Sequence, residues 1–235
     1  MIKQTIFLIL LIANCFVGCA QEKNDIYRYK RGSIDGIGKW YLGREIAHVM
    51  GYQGISWLER DSRQKEENVS RLISNMNIQP DDVIADIGAG SGYHVFKMAP
   101  LANKGEVYAV DIQKEMLAAI KNKQEKTGID NIKRVLGTEQ SVSLPSNSID
   151  KVLMVDVYHE FNFPYEMMQS IFQALKSDGK VFLIEYRAED RSVPIKPLHK
   201  MTKAQAVKEM EAVGFTLDKN INNLPWQHCM VFSKK

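Results

Sequence analysis

The chain has 235 residues, 45% of them hydrophobic and 25% charged. That composition suits one full-sized globular domain or two small ones and excludes a disordered chain, a collagen-like fibre and a polytopic membrane protein. The 31 basic and 28 acidic residues leave a formal net charge of +3, too small to indicate a nucleic-acid binder, and of three cysteines only Cys229 lies beyond residue 20, so the body of the chain holds no disulfide framework.

Lys3 opens a short basic region, an apolar run follows over residues 6–13, and the stretch closes on Phe16-Val17-Gly18-Cys19. The run is too short to span a bilayer comfortably, which favours a signal peptide over residues 1–18. Phe16 to Cys19 resembles a bacterial lipobox, with phenylalanine where leucine is usual. The resemblance implies a lipidated Cys19, a new N-terminus there, and a lipoprotein held at the membrane outside the cytoplasm; a cytoplasm-facing membrane anchor is the alternative. Residues 19–39 read as a tether, because the stretch 21–31 is polar without an apolar period.

Residues 40–78 form a segment ahead of the main domain, with Val69, Leu72, Ile73 and Met76 at helical spacing. From residue 79 to 235, short Val- and Ile-rich runs alternate with longer amphipathic stretches, the pattern of an α/β, doubly wound sheet. Strands are predicted at 83–87, 106–110, 132–136, 149–155 and 181–186. Helices are predicted at 93–101, at 114–126 before Gly128, at 164–175, and at 203–213 before Gly214. Two further β segments are predicted at 215–218 and 228–233.

Asp86-Ile-Gly88-Ala-Gly90-Ser-Gly92 falls between a predicted strand and a predicted helix. Glycines there let the backbone approach a ligand closely, and the helix start offers free N–H groups. The spacing is G-x-G-x-G, and a dinucleotide fingerprint would need glycine in place of Tyr93, which counts against nicotinamide or flavin. About twenty residues on, Asp111 ends the second strand, placed for a carboxylate to accept hydrogen bonds from ribose hydroxyls.

These motifs, with residues 144–150 and 175–179 in matching order, resemble a class I S-adenosylmethionine-dependent methyltransferase. The resemblance implies a Rossmann-like sheet of seven strands with an antiparallel last strand, and S-adenosyl-L-methionine as cofactor. It implies that Gly88, Gly90 and Gly92 flank the methionine part, that Asp86 orients its amino group and that Asp111 binds the ribose. The usual acid after the third strand is replaced by Gly137-Thr138-Glu139, so the adenine contact falls to Glu139 or to Thr138. It also implies a substrate covered by residues ahead of the first strand, with Tyr41, Arg44, His48 and Trp57 as candidates. The alternative is that Trp40 and Trp57 pin this segment while Arg44 and Glu45 are solvated.

After the fourth strand comes Asp156-Val157-Tyr158-His159-Glu160, on the side of a parallel sheet where ligands lie. In the resembling family this position faces the methyl group and the acceptor, which makes Asp156 an active-site acid on the cofactor side and Tyr158 a substrate contact. His159 has the reference pKa for taking a proton from an acceptor, with Glu160 orienting it; the alternative is that His159 only shapes the pocket. No second cluster joins Asp156, His159 and Glu160 to complete a metal shell, so no metal is expected. The leading reading is a methyltransferase acting on a small molecule. The alternative is a non-catalytic ligand-binding lipoprotein of the same fold. Nucleic acid is not an expected partner, because neither a base-amine methylation motif nor a basic-aromatic stripe is present.

Overall fold

A computed structural model describes residues 26–235. The expected signal peptide, Cys19 and the first part of the expected tether lie outside the described residues. Among the described residues no helix is long and apolar enough to cross a membrane.

The chain enters through a three-stranded antiparallel sheet, β1 (Tyr27–Tyr29), β2 (Gly36–Tyr41) and β3 (Arg44–Ala47). Three short helices follow, α1 (Ile55–Leu58), α2 (Arg63–Glu67) and α3 (Val69–Asn75). The main unit then runs β4 (Val83–Ile87), α4 (Val95–Met98), β5 (Glu106–Asp111), α5 (Lys114–Thr127), β6 (Ile132–Leu136), β7 (Ile149–Val155), α6 (Pro164–Ala174), β8 (Leu175–Tyr186), α7 (Lys203–Glu211), β9 (Phe215–Asn220) and β10 (Gln227–Lys234). Its seven strands lie in the order β6-β5-β4-β7-β8-β10-β9. β10 runs antiparallel to both its neighbours, and the pairs from β6 to β8 are parallel.

Both faces of the sheet are covered at its centre, which is why strands such as Val83–Ile87 and the second half of β8 are apolar on both sides. Val152 and Met154 of β7, Val181 and Leu183 of β8, and Met230 and Phe232 of β10 pack on one side with Met168 and Ile171 of α6. The intervening Leu153, Phe182, Ile184 and Val231 pack on the other with Leu72 of α3, Val95 of α4 and Ile120 of α5. That alternation is the two-residue period of a strand, so a slip of register by one residue would exchange the two cores.

Local signals set the helix ends. Pro164 opens α6, where its missing N–H costs nothing. The Thr202 side chain accepts from the Gln205 N–H at the start of α7. Gly128 ends α5 at φ 68°, a left-handed conformation that glycine adopts without strain. The helix expected over 93–101 is regular only across Val95–Met98, with hydrogen-bonded turns continuing to Leu101 and Ala102.

The expected tether at 19–39 is corrected from residue 27 onward. Tyr27 to Tyr29 pair with Lys39 to Tyr41, and the small sheet docks on the main domain through charged and aromatic contacts. The Lys39 ammonium lies 3.4 Å from the centre of the Phe163 ring and 4.0 Å from that of Tyr27. The Tyr27 hydroxyl donates to Glu166. Arg44 makes a two-pronged pair with Glu209 of α7, Nε to Oε1 at 2.7 Å and Nη2 to Oε2 at 2.8 Å, and its Nη1 donates to the His159 carbonyl at 3.0 Å. Polar residues without an apolar period looked like linker, but Tyr27 and Lys39 are held by Glu166 of α6 and by Phe163 just ahead of it.

The Arg44 and Glu209 side chains are 9% and 0% exposed. Arg44→Ala would leave the Glu209 carboxylate buried without its cation, and is expected to lower unfolding stability by about 3–5 kcal/mol. Replacing both by apolar residues, Arg44→Met with Glu209→Leu, is expected to recover a large part of that loss. Urea titration of the three proteins checks it; a loss below about 1 kcal/mol for Arg44→Ala would mean that the pair does not hold the sheet in place.

Candidate active site

The strand order reverses between β4 and β7, whose C-terminal ends therefore border a crevice. The β4–α4 loop forms one wall. Gly88 and Gly90 stand at φ 71° and 55°; a Cβ on Gly88 would run into the Val157 side chain, and one on Gly90 would meet Leu58 Cδ1 at 2.8 Å. Both positions favour glycine for their left-handed backbone, and Gly88 also for space. Gly92, expected on the cofactor, lies off the crevice wall and packs toward Phe96 and Ile120.

Asp111 fastens this loop. Its Oδ2 accepts the Gly90 N–H at 2.9 Å and its Oδ1 the Gln113 N–H at 2.8 Å, while the Gly88 and Ala89 N–H groups donate to the Val110 carbonyl. Each carboxylate oxygen keeps a second lone pair, so Asp111 lines the crevice as an acceptor already aimed. Burial raises its pKa, against the hydrogen bonds from Gln113 and Gly90. Thr138 and Glu139 line the same crevice at the exit of β6; Glu139 Oε1 accepts from Asn162 Nδ2 at 2.7 Å.

Asp86 is 2% exposed and does not form part of the crevice wall. Its Oδ2 has no hydrogen-bond partner. Burial lifts its pKa to about 8, with Arg63 opposing and Asp111 adding to the rise. Asp156 closes β7 with φ 51°, a left-handed conformation that aspartate tolerates better than most residues. Its Oδ2 accepts from Gln227 Nε2 at 2.6 Å and its Oδ1 has no partner. Burial, with Glu67 and Glu185 nearby, drives its pKa well above the usual range.

A second cavity of about 330 Å3 adjoins the crevice, which itself encloses about 100 Å3. Met50, Leu58, Val155, Asp156 and Glu160 line both. A ligand of nucleoside size therefore needs Met50 and Leu58 to move aside from the glycine loop. Trp57, Arg63, Tyr186, Lys196 and His199 complete the second cavity with His159.

The chain turns sharply after Asp156 into a 3₁₀ turn over Tyr158–Glu160. His159 and Glu160 consequently face the second cavity, whereas Tyr158 rotates into the apolar core. Tyr158 is thus a core residue rather than a substrate contact. Of the four candidates ahead of the domain, only Trp57 reaches a cavity, with the Arg60 guanidinium 3.8 Å from its ring centre. Tyr41 is buried in the core, Arg44 is committed to Glu209, and exposed His48 lines neither cavity. The expectation of a shared substrate cap is corrected for these three. Their spacing suggested a common face, but β2, the left-handed Leu42 and Gly43, and β3 turn them in different directions.

His159 is held on both sides. Its Nδ1 lies 2.6 Å from Glu185 Oε2, and its Nε2 lies 3.1 Å from His199 Nδ1 and 3.7 Å from Glu160 Oε1. Burial opposes a charge on this ring, but Glu185 and Glu160 override it and raise the pKa to about 10. Burial likewise opposes ionisation of Glu160, yet the two histidines and the Met50 N–H bring its pKa down to about 2. Both ring nitrogens of His159 are thus engaged, Nδ1 by Glu185 and Nε2 by its neighbours, an arrangement that suits the positioning alternative. No pattern in the chain marks His199, forty residues away on a separate loop, nor Arg63 and Tyr186, which meet at Glu67.

The seven-stranded sheet with one antiparallel strand, and the glycine loop facing an acid at the end of the next strand, define the Rossmann-like methyltransferase fold. Residues 78–230 match the family described as "Methyltransferase domain", and the chain belongs to it. It is 25% identical over 127 residues to the uncharacterized methyltransferase YcgJ of Bacillus subtilis (strain 168), covering 54% of this chain and 49% of that protein. It is 29% identical over 134 residues to the tRNA U34 carboxymethyltransferase of Helicobacter pylori (strain HPAG1), covering 55% and 50%. The chain thus spans about half the length of these curated relatives. Among solved structures, a SAM dependent methyltransferase from Aquifex aeolicus superposes with a TM-score of 0.75 at 20% identity, covering 80% of this chain and 100% of that one. The cofactor is S-adenosylmethionine. The crevice fits it in three respects: glycines that clear the backbone, a strand-end carboxylate with free lone pairs, and the unpartnered Oδ1 of Asp156 in its wall.

The raised pKa of Asp86 has a definite sign in stability. Unfolded, the carboxyl titrates near 3.8; folded, near 8. The native state therefore binds the extra proton between these values, and this group's contribution falls as pH rises from about 4 to 8. Asp86→Asn is expected to be more stable than the parent protein at pH 8, with the advantage shrinking toward pH 4. Thermal unfolding across that range checks it, and a pH-independent difference would mean that Asp86 is ionised in the folded protein.

Proposed function

We propose that the protein transfers a methyl group from S-adenosylmethionine to a small-molecule acceptor held in the second cavity. The carrying observation is the adjoining of the two cavities at Asp156 and Glu160, which brings a cofactor crevice and a separate pocket together at the end of β7. The cofactor supplies a methyl group already activated by its sulfonium, so the protein has chiefly to position two molecules and exclude water.

In this reading the backbone at Gly88 and Gly90 accommodates the methionine part, Asp111 accepts from the ribose, and Thr138 or Glu139 contacts the adenine. Asp156 carries the unpartnered oxygen that receives the amino group, and Asp86 stands buried behind the glycine loop. Asp156 is held by Gln227, so its free oxygen is fixed in direction. Trp57, Arg63, Tyr186 and Lys196 enclose the acceptor, and a volume of about 330 Å3 suits a molecule of modest size better than a folded RNA. The relatives that act on tRNA share only part of this chain, and a charge of +3 adds no polyanion surface.

The lipobox-like Cys19 supports a further part of the proposal, that the enzyme is lipid-anchored at a bacterial membrane. Cys19→Ser is expected to release it from membranes or to leave its precursor unprocessed; an intact Met1 in the membrane fraction would favour a cytoplasm-facing anchor.

Incubating the full chain with methyl-labelled cofactor and a panel of thiols, phenols, amines and carboxylates tests turnover. Transfer of label supports the enzyme, while cofactor binding without transfer to any class supports the binding-protein alternative. Gly90→Val places a β-branched residue at φ 55° against Leu58, and is expected to abolish cofactor binding while the protein remains folded. Asp111→Ala is expected to weaken binding by about 1.5–3 kcal/mol, the range for hydrogen bonds to a charged group. Calorimetry with S-adenosylhomocysteine reads both; unchanged affinity in a folded Gly90→Val protein would remove the loop from the site.

A further inference from the structure

His159 Nε2, Glu160 Oε1 and His199 Nδ1 converge in the wall of the second cavity, with pairwise separations of 3.1, 3.4 and 3.7 Å. We propose that these three side chains bind a single zinc-type divalent cation, leaving a fourth position open to the acceptor cavity. The identification of the cavity as the acceptor's rests on the function proposed above; the metal site itself does not.

Geometry favours this ion. Around a tetrahedral centre with bonds of about 2.0–2.1 Å, ligand atoms lie about 3.3–3.4 Å apart. Around an octahedral magnesium at similar bond lengths they would lie about 2.9 Å apart. The three observed separations bracket the tetrahedral value. Two imidazoles and one carboxylate also suit zinc, and that set with an open fourth position is the pattern of a reactive rather than a purely structural site.

The surroundings fix each ligand. Glu185 holds His159 Nδ1 at 2.6 Å, which leaves Nε2 as the coordinating nitrogen; a carboxylate behind a metal-binding histidine is the usual orienting partner. The second oxygen of Glu160 accepts the Met50 N–H at 3.0 Å, which turns Oε1 toward the histidines. His199 sits in a 3₁₀ turn opened by Pro197, and its ring stands edge-on to His159 with centroids 5.0 Å apart. The carboxylates of Glu160 and Glu185 supply the negative charge that a buried dication needs. The nearest cations of the cavity are already paired, Arg63 with Glu67 and Lys196 with Asp35.

A cation there would take an acceptor thiol at its fourth position and lower the pKa of that thiol. The thiol releases its proton to solvent on coordinating. Its sulfur pair then forms the new bond to the methyl carbon, and the methyl–sulfonium bond breaks with its electron pair going to the cofactor sulfur.

The test uses the full chain, untagged and stripped of metal with a chelator. Calorimetric titration with Zn²⁺ is expected to show one equivalent bound. His199→Ala, a partly exposed change that spares the core, is expected to weaken binding at least about 100-fold, and Glu185→Gln by about 10–100-fold. Co²⁺ in place of Zn²⁺ is expected to give the visible absorption of a four-coordinate ion, altered by added 2-mercaptoethanol. S-adenosylhomocysteine is titrated in parallel: its failure to bind would count against the transferase reading, while stoichiometric Zn²⁺ lost in His199→Ala would still support the metal site. Absence of stoichiometric Zn²⁺ binding by the folded parent protein, or equal binding by a folded His199→Ala protein, would overturn the metal proposal, and a Co²⁺ spectrum indifferent to the thiol would overturn the open position.

Discussion

Strands β4 and β7 pair side by side at the centre of the sheet, yet the chain leaves them in opposite directions, toward β5 and toward β8. That reversal opens the crevice, because the connections on its two sides cannot fill the space between them. Each functional group then follows from a strand end. β4 delivers the glycine loop, β5 delivers Asp111 to fasten it, and β7 delivers Asp156, whose left-handed backbone turns His159 and Glu160 toward the second cavity while Tyr158 enters the core. The sheet supplies the placement and the loops supply the chemistry.

The site is also costly to build. Asp86, Glu67 and Glu185 are buried behind it, Asp156 is half-buried in its wall, and Glu209 is buried under the N-terminal sheet. Most of these are matched one by one: Glu67 by Arg60, Arg63 and Tyr186, Glu185 by His159, Glu209 by Arg44. The unmatched oxygens of Asp86 and Asp156 are the exceptions; Asp156 lines the crevice, and Asp86 lies on the strand that leads into its glycine loop. Buried groups left without partners are destabilising by themselves, so their retention at the ends of β4 and β7 is consistent with a ligand that completes them.

Much of this was legible in the chain. The segments 83–87 and 149–155 form strands with the expected limits, since central strands of a parallel sheet covered on both faces write themselves as short apolar runs. The glycine loop and Asp111 were legible because their chemistry is local: a strand, a turn and the next strand end. The N-terminal sheet was not, because its strands are stabilised by Lys39 and Arg44 reaching Phe163 and Glu209 across more than a hundred residues. The substrate candidates failed for a related reason. Closeness in sequence says little about which face Tyr41, Arg44 and His48 turn to once a tight turn separates them. His199 was invisible because nothing near it in the chain marks it; only the fold sets it beside His159.

The proposed cofactor site is a single crevice, bounded by the ends of β4, β5, β6 and β7. Hydrogen exchange of the full chain with and without saturating S-adenosylhomocysteine tests it most directly. Protection is expected to concentrate at residues 86–92, 111–113, 137–139 and 156–160, with altered exchange across 50–58, whose Met50 and Leu58 line the crevice. Protection confined elsewhere, or none at a ligand concentration that calorimetry shows to be saturating, would contradict it.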